Sequence, residues 1–441
     1  MTDQDRTDAR LEAARLVWEL HRRGGVAREL WPAERTGAGT ALVLGTLRRR
    51  GTLDAILARH SSRRLPLIKP ETLACLRVAL FELLFLDDAP AHAVVAAAVD
   101  NTKSFERFQD TGFVNALLRG ILRRARRVAP AGRGDPRHVL PREGFDWEFV
   151  RAVFPDPDRD PVGFLAARGS VPRWMAEARL SGLPPERALR CLELQARTPD
   201  THLRVVGGRT GEVKAALEAA GVPARDGPRP GMLTLPPQVR VGVVLEVCGD
   251  RVVVQDAAAC ATAPFLGPPP GARVLDYCAA PGGKTTHLAE LVGPTGSVVA
   301  CDVDPRRLAR VEQNARRLGL RNIRCCLLPQ DPGRDFDAAL VDVPCSNSAV
   351  LGRRPEARWR VRRRDLQGLV DRQRRILRQA STHVATGATL VYATCSLEPE
   401  ENRGVVEDFV SRAPFELGET QTIYPDEGAG GGGFHARLRR V

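Results

Sequence analysis

The chain has 441 residues, 43% of them hydrophobic and 27% charged, too long for one compact core, so two or three domains are the natural division. Its formal net charge of +13 points to a polyanionic partner, most simply a nucleic acid. No run of about 18 apolar residues occurs, the charged start MTDQDRTDAR lacks an apolar core, and the ten cysteines fall outside CxxC spacing. A membrane span, a secretory leader, a disulfide framework and a structural zinc site are therefore not expected, and a cytoplasmic chain with reduced thiols is.

From the N-terminus, LEAARLVWELH, TALVLGTLRRRGTLDAILARH, KPETLACLRVALFELLFL, AHAVVAAAVDNTK and GFVNALLRGILRRARR carry apolar residues at three- and four-residue intervals. This predicts an all-α bundle over 1–128, its helices separated by Pro70, Pro90 and glycine-rich joints. Proline and glycine in VAPAGRGDPRHVLPREG predict a linker over 129–164. Residues 165–250 mix helix-like PPERALRCLELQAR and GEVKAALEAAG with strand-like HLRVV and GMLTL, a small α+β module. Over 251–441 the apolar runs ARVLDYC, GSVVACDV, IRCCLL, FDAALVDV and ATLVYATC alternate with amphipathic helices. In DLQGLVDRQRRILRQAS, for example, Leu366, Leu369, Val370, Ile376 and Leu377 share a face. The pattern predicts an α/β Rossmann-like domain whose parallel sheet is covered on both sides and binds ligands at the carboxyl ends of its strands.

One such end is the stretch VLDYCAAPGGKTTHLAE. Gly282 and Gly283 allow close approach of backbone to a ligand, and the helix that follows offers free N–H groups. A phosphate-binding loop would need glycine where Cys278 stands, and the Gly-x-Gly-x-x-Gly turn of a dinucleotide fold is absent. Asp302, 20 residues after Gly282, ends the next strand and suits ribose hydroxyls, while Asp304 before Pro305 is the better helix cap. A ribose without phosphate favours S-adenosylmethionine.

Cys345 in VDVPCSNSAV and Cys395 in VYATCSLEPEEN each follow an apolar strand and precede a serine, 50 residues apart. Consecutive parallel strands joined by one crossover helix are usually neighbours, so the two thiols are expected to face each other beside the cofactor loop. A free cysteine is more often a small core residue. Beside S-adenosylmethionine, however, a thiolate has a use: added to C6 of a pyrimidine it makes C5 nucleophilic. Asp342 stands three residues before Cys345, where an acid near N3 would assist.

VLDYCAAPGGKTT, VDVPCSNSAVLGRRPEARW and VYATCSLEPEEN are together similar to the three signature blocks of RNA (cytosine-5) methyltransferases, VVVQDAAAC to the block before them and GGGFHARLRR to the closing strand. GTLRRRGTLDAIL, LRVALFELLFL and FVNALLRGILRR resemble the NusB-type domain fused to this enzyme in the Sun/RsmB family of 16S ribosomal RNA methyltransferases, so the likeness covers nearly the whole chain. The resemblance implies three domains: a NusB-like RNA-binding bundle, a small RNA-binding module and a methyltransferase domain. It implies Cys395 as nucleophile, Cys345 as the thiol that assists product release, and Asp342 as a contact to cytosine. S-adenosylmethionine would lie on Cys278, Ala279, Ala280, Pro281, Gly282, Gly283, Lys284, Asp302 and Asp342, with Asp331 as the acid near adenine. Lys284 is one of only four lysines in this arginine-rich chain, and ammonium and guanidinium are not interchangeable. Three features depart from the family pattern. Asn347-Ser348-Ala349 replaces a glycine or alanine followed by Thr-Gly, the block around Asp331 is short, and HLRVVGG lacks an asparagine.

Enzymes that modify bases must expose them, so single-stranded or looped small-subunit RNA is the expected substrate and a monomer the expected state. A non-catalytic assembly factor would have no use for intact Cys345, Cys395, Asp342 and CAAPGGK. In a DNA cytosine methyltransferase the Pro-Cys cysteine would attack, and the Thr-Cys-Ser block would be unexplained.

Overall fold

The structure, a computed structural model, describes residues 3–23, 38–86, 89–130, 134–427 and 430–441. Two compact units emerge: residues 1–197 with 354–360, and residues 198–353 with 361–441.

The first unit is built around helices α1 (Asp3–Arg23), α2 (Ala38–His60), α3 (Pro70–Phe85), α4 (Ala91–Ser104) and α5 (Thr111–Leu122). Proline opens α3, where its missing N–H costs nothing. Leu73, Leu76, Val78, Leu80 and Leu84 are buried around all of its faces, as suits the central rod of a bundle. Two ion pairs, Arg10 with Glu82 and Arg77 with Asp54, both at 2.7 Å, tie it to α1 and α2.

The sequence reading and the structure differ over 129–164. Apart from residues 131–133, which lie outside the described residues, this stretch is not a plain linker. Strands β1 (Ala125–Val128), β2 (Val139–Pro141) and β3 (Asp146–Phe149) form an antiparallel sheet in the order β1-β3-β2. Val139, Leu140, Trp147 and Phe149 are buried, and Trp147 Nε1 donates to the Leu84 carbonyl at 3.0 Å. Strands of three or four residues are too short for alternation to show in sequence. The 165–250 module is also divided differently. Helices α6 (Pro161–Arg168), α7 (Arg173–Gly182) and α8 (Pro185–Gln195) belong to the first unit, and the division falls after Arg197.

Segment 354–360 returns to the first unit from far along the chain. Its Arg358 is completely buried and donates to the carbonyls of Arg48, Gly169, Ser170 and Gln195. Burial, then Arg49 and Arg48, pull this guanidinium well below its ordinary pKa.

The second unit begins with a four-stranded antiparallel sheet, order β5-β6-β4-β7, from β4 (Thr201–Val205), β5 (Arg225–Asp226), β6 (Met232–Leu235) and β7 (Val252–Val254). Helices α9 (Thr210–Ala219) and α10 (Val241–Cys248) accompany it. After two short helical turns, α11 (Ala257–Cys260) and α12 (Thr262–Leu266), the larger sheet follows. Its strands are β8 (Arg273–Asp276), β9 (Ser297–Asp302), β10 (Ile323–Leu327), β11 (Phe336–Asp342), β12 (Val384–Thr394), β13 (Phe415–Ile423) and β14 (Gly433–Arg440), in the order β10-β9-β8-β11-β12-β14-β13. The first five run parallel, and β14 runs antiparallel to both of its neighbours.

Helices α13 (Gly283–Val292), α14 (Pro305–Arg317), α16 (Leu366–Ser381) and α17 (Arg403–Val410) cover this sheet, and α15 is the short turn Ala357–Arg360. One face packs Leu275, Val299 and Val341 with Val370, Leu377, Val405 and Phe409. The other packs Val274, Val298, Leu340 and Val391 with Leu288 and Val292. Apolar residues on both faces of each central strand are what a doubly covered parallel sheet requires. Strand order reverses between β8 and β11, the place where such sheets bind ligands at their carboxyl ends.

Candidate active site

The loop after β8 carries the first group of site residues. Gly282 has φ +102°, and a Cβ there would sit 3.1 Å from the Val311 Cα, so both conformation and close approach to α14 demand glycine. Thr285 Oγ1 donates to Asp276 Oδ2 at 2.7 Å, pinning the start of α13 to β8. Burial pushes the Asp276 carboxyl up to about 7. At the end of β9, Asp302 is buried, accepts from the Asp304 N–H at 3.1 Å and lies 3.5 Å from Arg307. Asp304 is the cap of α14, accepting from Arg306 and Arg307 N–H, as its place before Pro305 predicts. Beyond Asp302, an open cavity of about 740 Å³ is lined by Tyr277, Val303, Asp331 and His383 among others. Val303 leaves 61% of its surface exposed. Asp331 is exposed, its carboxylate accepting from the Gly333 N–H at 3.0 Å.

The second group follows β11 and β12, which pair directly and in parallel, Asp342 opposite Ala393. Their carboxyl ends bring Cys345 Sγ to 3.2 Å from Cys395 Sγ, the juxtaposition that strand order predicts. Cys395 also donates to Asn347 Oδ1 at 3.3 Å. Cys345 is buried, and its thiol lies well above the ordinary pKa because of the Cys395 contact first and burial second. Asn347 takes φ +62°, a conformation asparagine tolerates better than most residues. Its amide donates to the Cys345 carbonyl at 3.0 Å. Ser348 Oγ accepts from the Leu397 N–H at 2.9 Å, and the Ala349 N–H donates to the Cys395 carbonyl at 3.1 Å. The left-handed residue of this loop is 347, so alanine in place of glycine at 349 costs no backbone strain.

Lys284 joins the two groups. Its ammonium lies 2.6 Å from Asp342 Oδ2, so it turns toward the β11 loop as well as belonging to the cofactor turn. Burial pulls its pKa down, but Asp342 outweighs this and the net shift is upward. A narrow cavity of about 40 Å³ is lined by Asp256, Lys284, Asp342, Thr394, Cys395 and His435, with Thr262 among its other walls. Asp256 caps α11 and is paired with Arg353 at 2.6 Å. Sequence reasoning did not single out His435 or Asp256, although both stand in the quoted blocks. Among the described residues, no group of His, Cys, Asp and Glu could hold a metal ion, and no helix is long and apolar enough to cross a membrane.

His435 carries a pH dependence. It is buried, with Nε2 2.9 Å from Thr262 Oγ1, and its pKa is pushed down to about 3 by burial first, then by Lys284 and Arg229. The unfolded chain takes up a proton at about 6.5 that the folded chain refuses. Its contribution is therefore intact above that pH and is lost as the pH falls toward 3, at about 1.4 kcal/mol for the first unit below 6.5. The urea midpoint is expected to fall between pH 7.5 and 5.5, and His435→Phe should flatten that fall by one histidine's share. An unchanged slope in the variant would remove His435 from the account.

Residues 263–438 match the family described as 16S rRNA methyltransferase RsmB/F, and residues 5–123 match the NusB family. The chain is 32% identical over 419 residues to the ribosomal RNA small subunit methyltransferase B of Salmonella paratyphi B, covering 90% of this chain and 89% of that protein. The chain belongs to the RsmB/F family of 16S ribosomal RNA methyltransferases. As a member it is an S-adenosylmethionine-dependent ribosomal RNA methyltransferase. The same relationship is found with the Salmonella typhi protein of that name, at 32% identity over 90% of this chain and 89% of the relative. Among solved structures, a methyltransferase homolog from Pyrococcus horikoshii is similar to 63% of the RsmB/F chain and 98% of its own, with 25% identity and a TM-score of 0.54. The structure titled PH0851 shares the fold over 98% of this chain and 99% of its own, with 24% identity and a TM-score of 0.71.

Proposed function

We propose that the chain methylates C5 of a cytosine in single-stranded or looped 16S ribosomal RNA through a covalent bond from Cys395 to C6. The observation that carries this reading is the 3.2 Å approach of the Cys345 and Cys395 thiols beside the Lys284–Asp342 pair. A methyl transfer to an exocyclic nitrogen or a ribose oxygen needs no thiol, and two would be idle there.

The residues present fit S-adenosylmethionine. The turn Cys278, Ala279, Ala280, Pro281, Gly282, Gly283 is made of small residues, and glycine at 282 lets it pack against Val311 of α14 in a left-handed conformation, leaving backbone to meet the ligand. Asp302 offers carboxylate oxygens for ribose, and Val303 an apolar surface for a flat base. Asp331 lines the same cavity as an acceptor for an exocyclic amine. Bound there, S-adenosylmethionine supplies an electrophilic methyl group.

The chain's own groups do the rest. The Cys395 thiolate forms the S–C6 bond, and the displaced C5–C6 electrons make C5 a nucleophile. Negative charge that develops toward N3 is met by the Lys284–Asp342 pair, which holds a proton between an ammonium and a carboxylate. After C5 is methylated its C5–H bond must break: the proton passes to the Cys345 thiolate, the C–H electrons re-form the C5–C6 double bond, and the S–C6 electron pair leaves on Cys395 as thiolate.

RNA carrying 5-fluorocytosine, in which no proton can leave C5, should remain covalently bound to the protein in the presence of S-adenosylmethionine. Ordinary RNA should gain 5-methylcytosine at one position. Methylation of another atom, or turnover on the fluorinated RNA without a trapped adduct, would defeat the proposal.

A further inference from the structure

Behind the two cysteines lies a carboxylate that the reaction does not touch. Glu401 is completely buried. Its Oε1 accepts from the Ser346 N–H at 2.9 Å and from Gln373 Nε2 at 2.9 Å. Its Oε2 accepts from Ser346 Oγ at 2.5 Å and from Ser396 Oγ at 2.6 Å. A carboxylate has about four acceptor positions, and here neutral donors take them all. Among the described residues no salt bridge reaches it, so a buried charge is supported by hydrogen bonds alone, an expensive arrangement unless every bond is made.

The donors are informative. Ser346 follows Cys345 and Ser396 follows Cys395, so one carboxylate grips both Cys-Ser dipeptides. The two hydroxyls also lie 3.1 Å apart. Gln373 on α16 donates to the Pro344 carbonyl at 3.1 Å as well, bracing the residue before Cys345. Glu401 is fixed in turn, because Tyr392 on β12 donates its hydroxyl to the Glu401 carbonyl at 2.6 Å. Thr394 and Asn402 close the loop between them with a bond of 2.6 Å.

We infer that Glu401 is a positioning residue that sets the separation and orientation of Cys345 and Cys395 by holding Ser346 and Ser396 on one carboxylate. This rests on the covalent reading above and assigns a role to the serine in each Cys-Ser pair. After the Cys395 contact and burial, Glu401 is among the groups that raise the Cys345 thiol, which makes its thiolate a stronger acceptor for a proton.

Glutamine at 401 keeps the volume but turns an amide donor toward donors. In Glu401→Gln, diamide-driven formation of the Cys345–Cys395 disulfide, in which diamide is reduced as two thiols join, should slow by about tenfold without RNA or cofactor. The kcat for methyl transfer should fall by about 100-fold, as for a misplacement of about 1 Å, with the KM for S-adenosylmethionine within about twofold. Ser346→Ala/Ser396→Ala keeps the carboxylate with its Ser346 N–H and Gln373 bonds, and should reproduce both losses if Glu401→Gln does not fold. Unchanged cross-linking and kcat in either folded variant overturn the inference, as does a loss confined to KM. The cross-linking measurement needs no substrate, so failure of the wild-type protein to trap fluorinated RNA would sink the covalent reading without touching the positioning result.

Discussion

Replacing Cys395 by serine is expected to lower methyl transfer by on the order of 10⁴ or more, with no adduct on fluorinated RNA, because a hydroxyl is not ionised where a thiolate is accessible. Replacing Cys345 by alanine should do something different. Attack by Cys395 and methylation still occur, but departure of the C5 proton loses its assistant, so turnover falls while protein linked to ordinary RNA accumulates. The two thiols are 3.2 Å apart, in hydrogen-bond contact, and Asn347 bonds to the Cys395 thiol and to the Cys345 carbonyl, so proximity does not distinguish them. Exposure does: Cys395 lines the cavity with Lys284 and Asp342, while Cys345 is buried. Denaturing gel shifts of the two variants with ordinary and fluorinated RNA read the assignment directly. An adduct retained in Cys395→Ser and lost in Cys345→Ala would exchange the roles.

The parallel sheet and the meeting of the cysteines were legible because both follow from period and connectivity. Long buried strands such as β9, β11 and β12 read as apolar runs, and one crossover helix between β11 and β12 makes them neighbours. The cap at Asp304 was legible because it depends on adjacent residues only. Glu401 was not. In PEEN, ahead of a helix, a glutamate reads as a solvated surface residue, and its burial exists only because loops from β11 and β12 and Gln373 of α16 close over it. Arg358 was hidden in the same way within the basic run from Arg353 to Arg364, although its guanidinium is completely buried within the first unit. Strand β13 was missed because only Phe415 and Ile423 at its ends are buried, leaving a polar exposed middle with no alternation to detect. Local chemistry and periodicity survive in sequence, whereas a polar residue's burial is a property of what arrives from elsewhere in the chain.

The Lys284–Asp342 pair combines both kinds of information and supports the second large effect. Asp342→Asn should reduce kcat by about 10²–10⁴, the range for a group that handles a proton in the transition state. The cause would be twofold. Asparagine contacts a base edge but cannot share Lys284's proton, and without the carboxylate the ammonium loses the largest group that opposes the downward pull of burial, with only the smaller effects of Cys395 and Asp276 left. Lys284→Met removes the same proton from the other side. If the pair works as one unit, the double variant should be about as impaired as the worse single variant rather than the product of both. Rates of adduct formation under single turnover, measured for both singles and the double, test this. Multiplicative losses would mean that Lys284 and Asp342 act independently, Lys284 in the cofactor turn and Asp342 on the cytosine, rather than through the 2.6 Å contact between them.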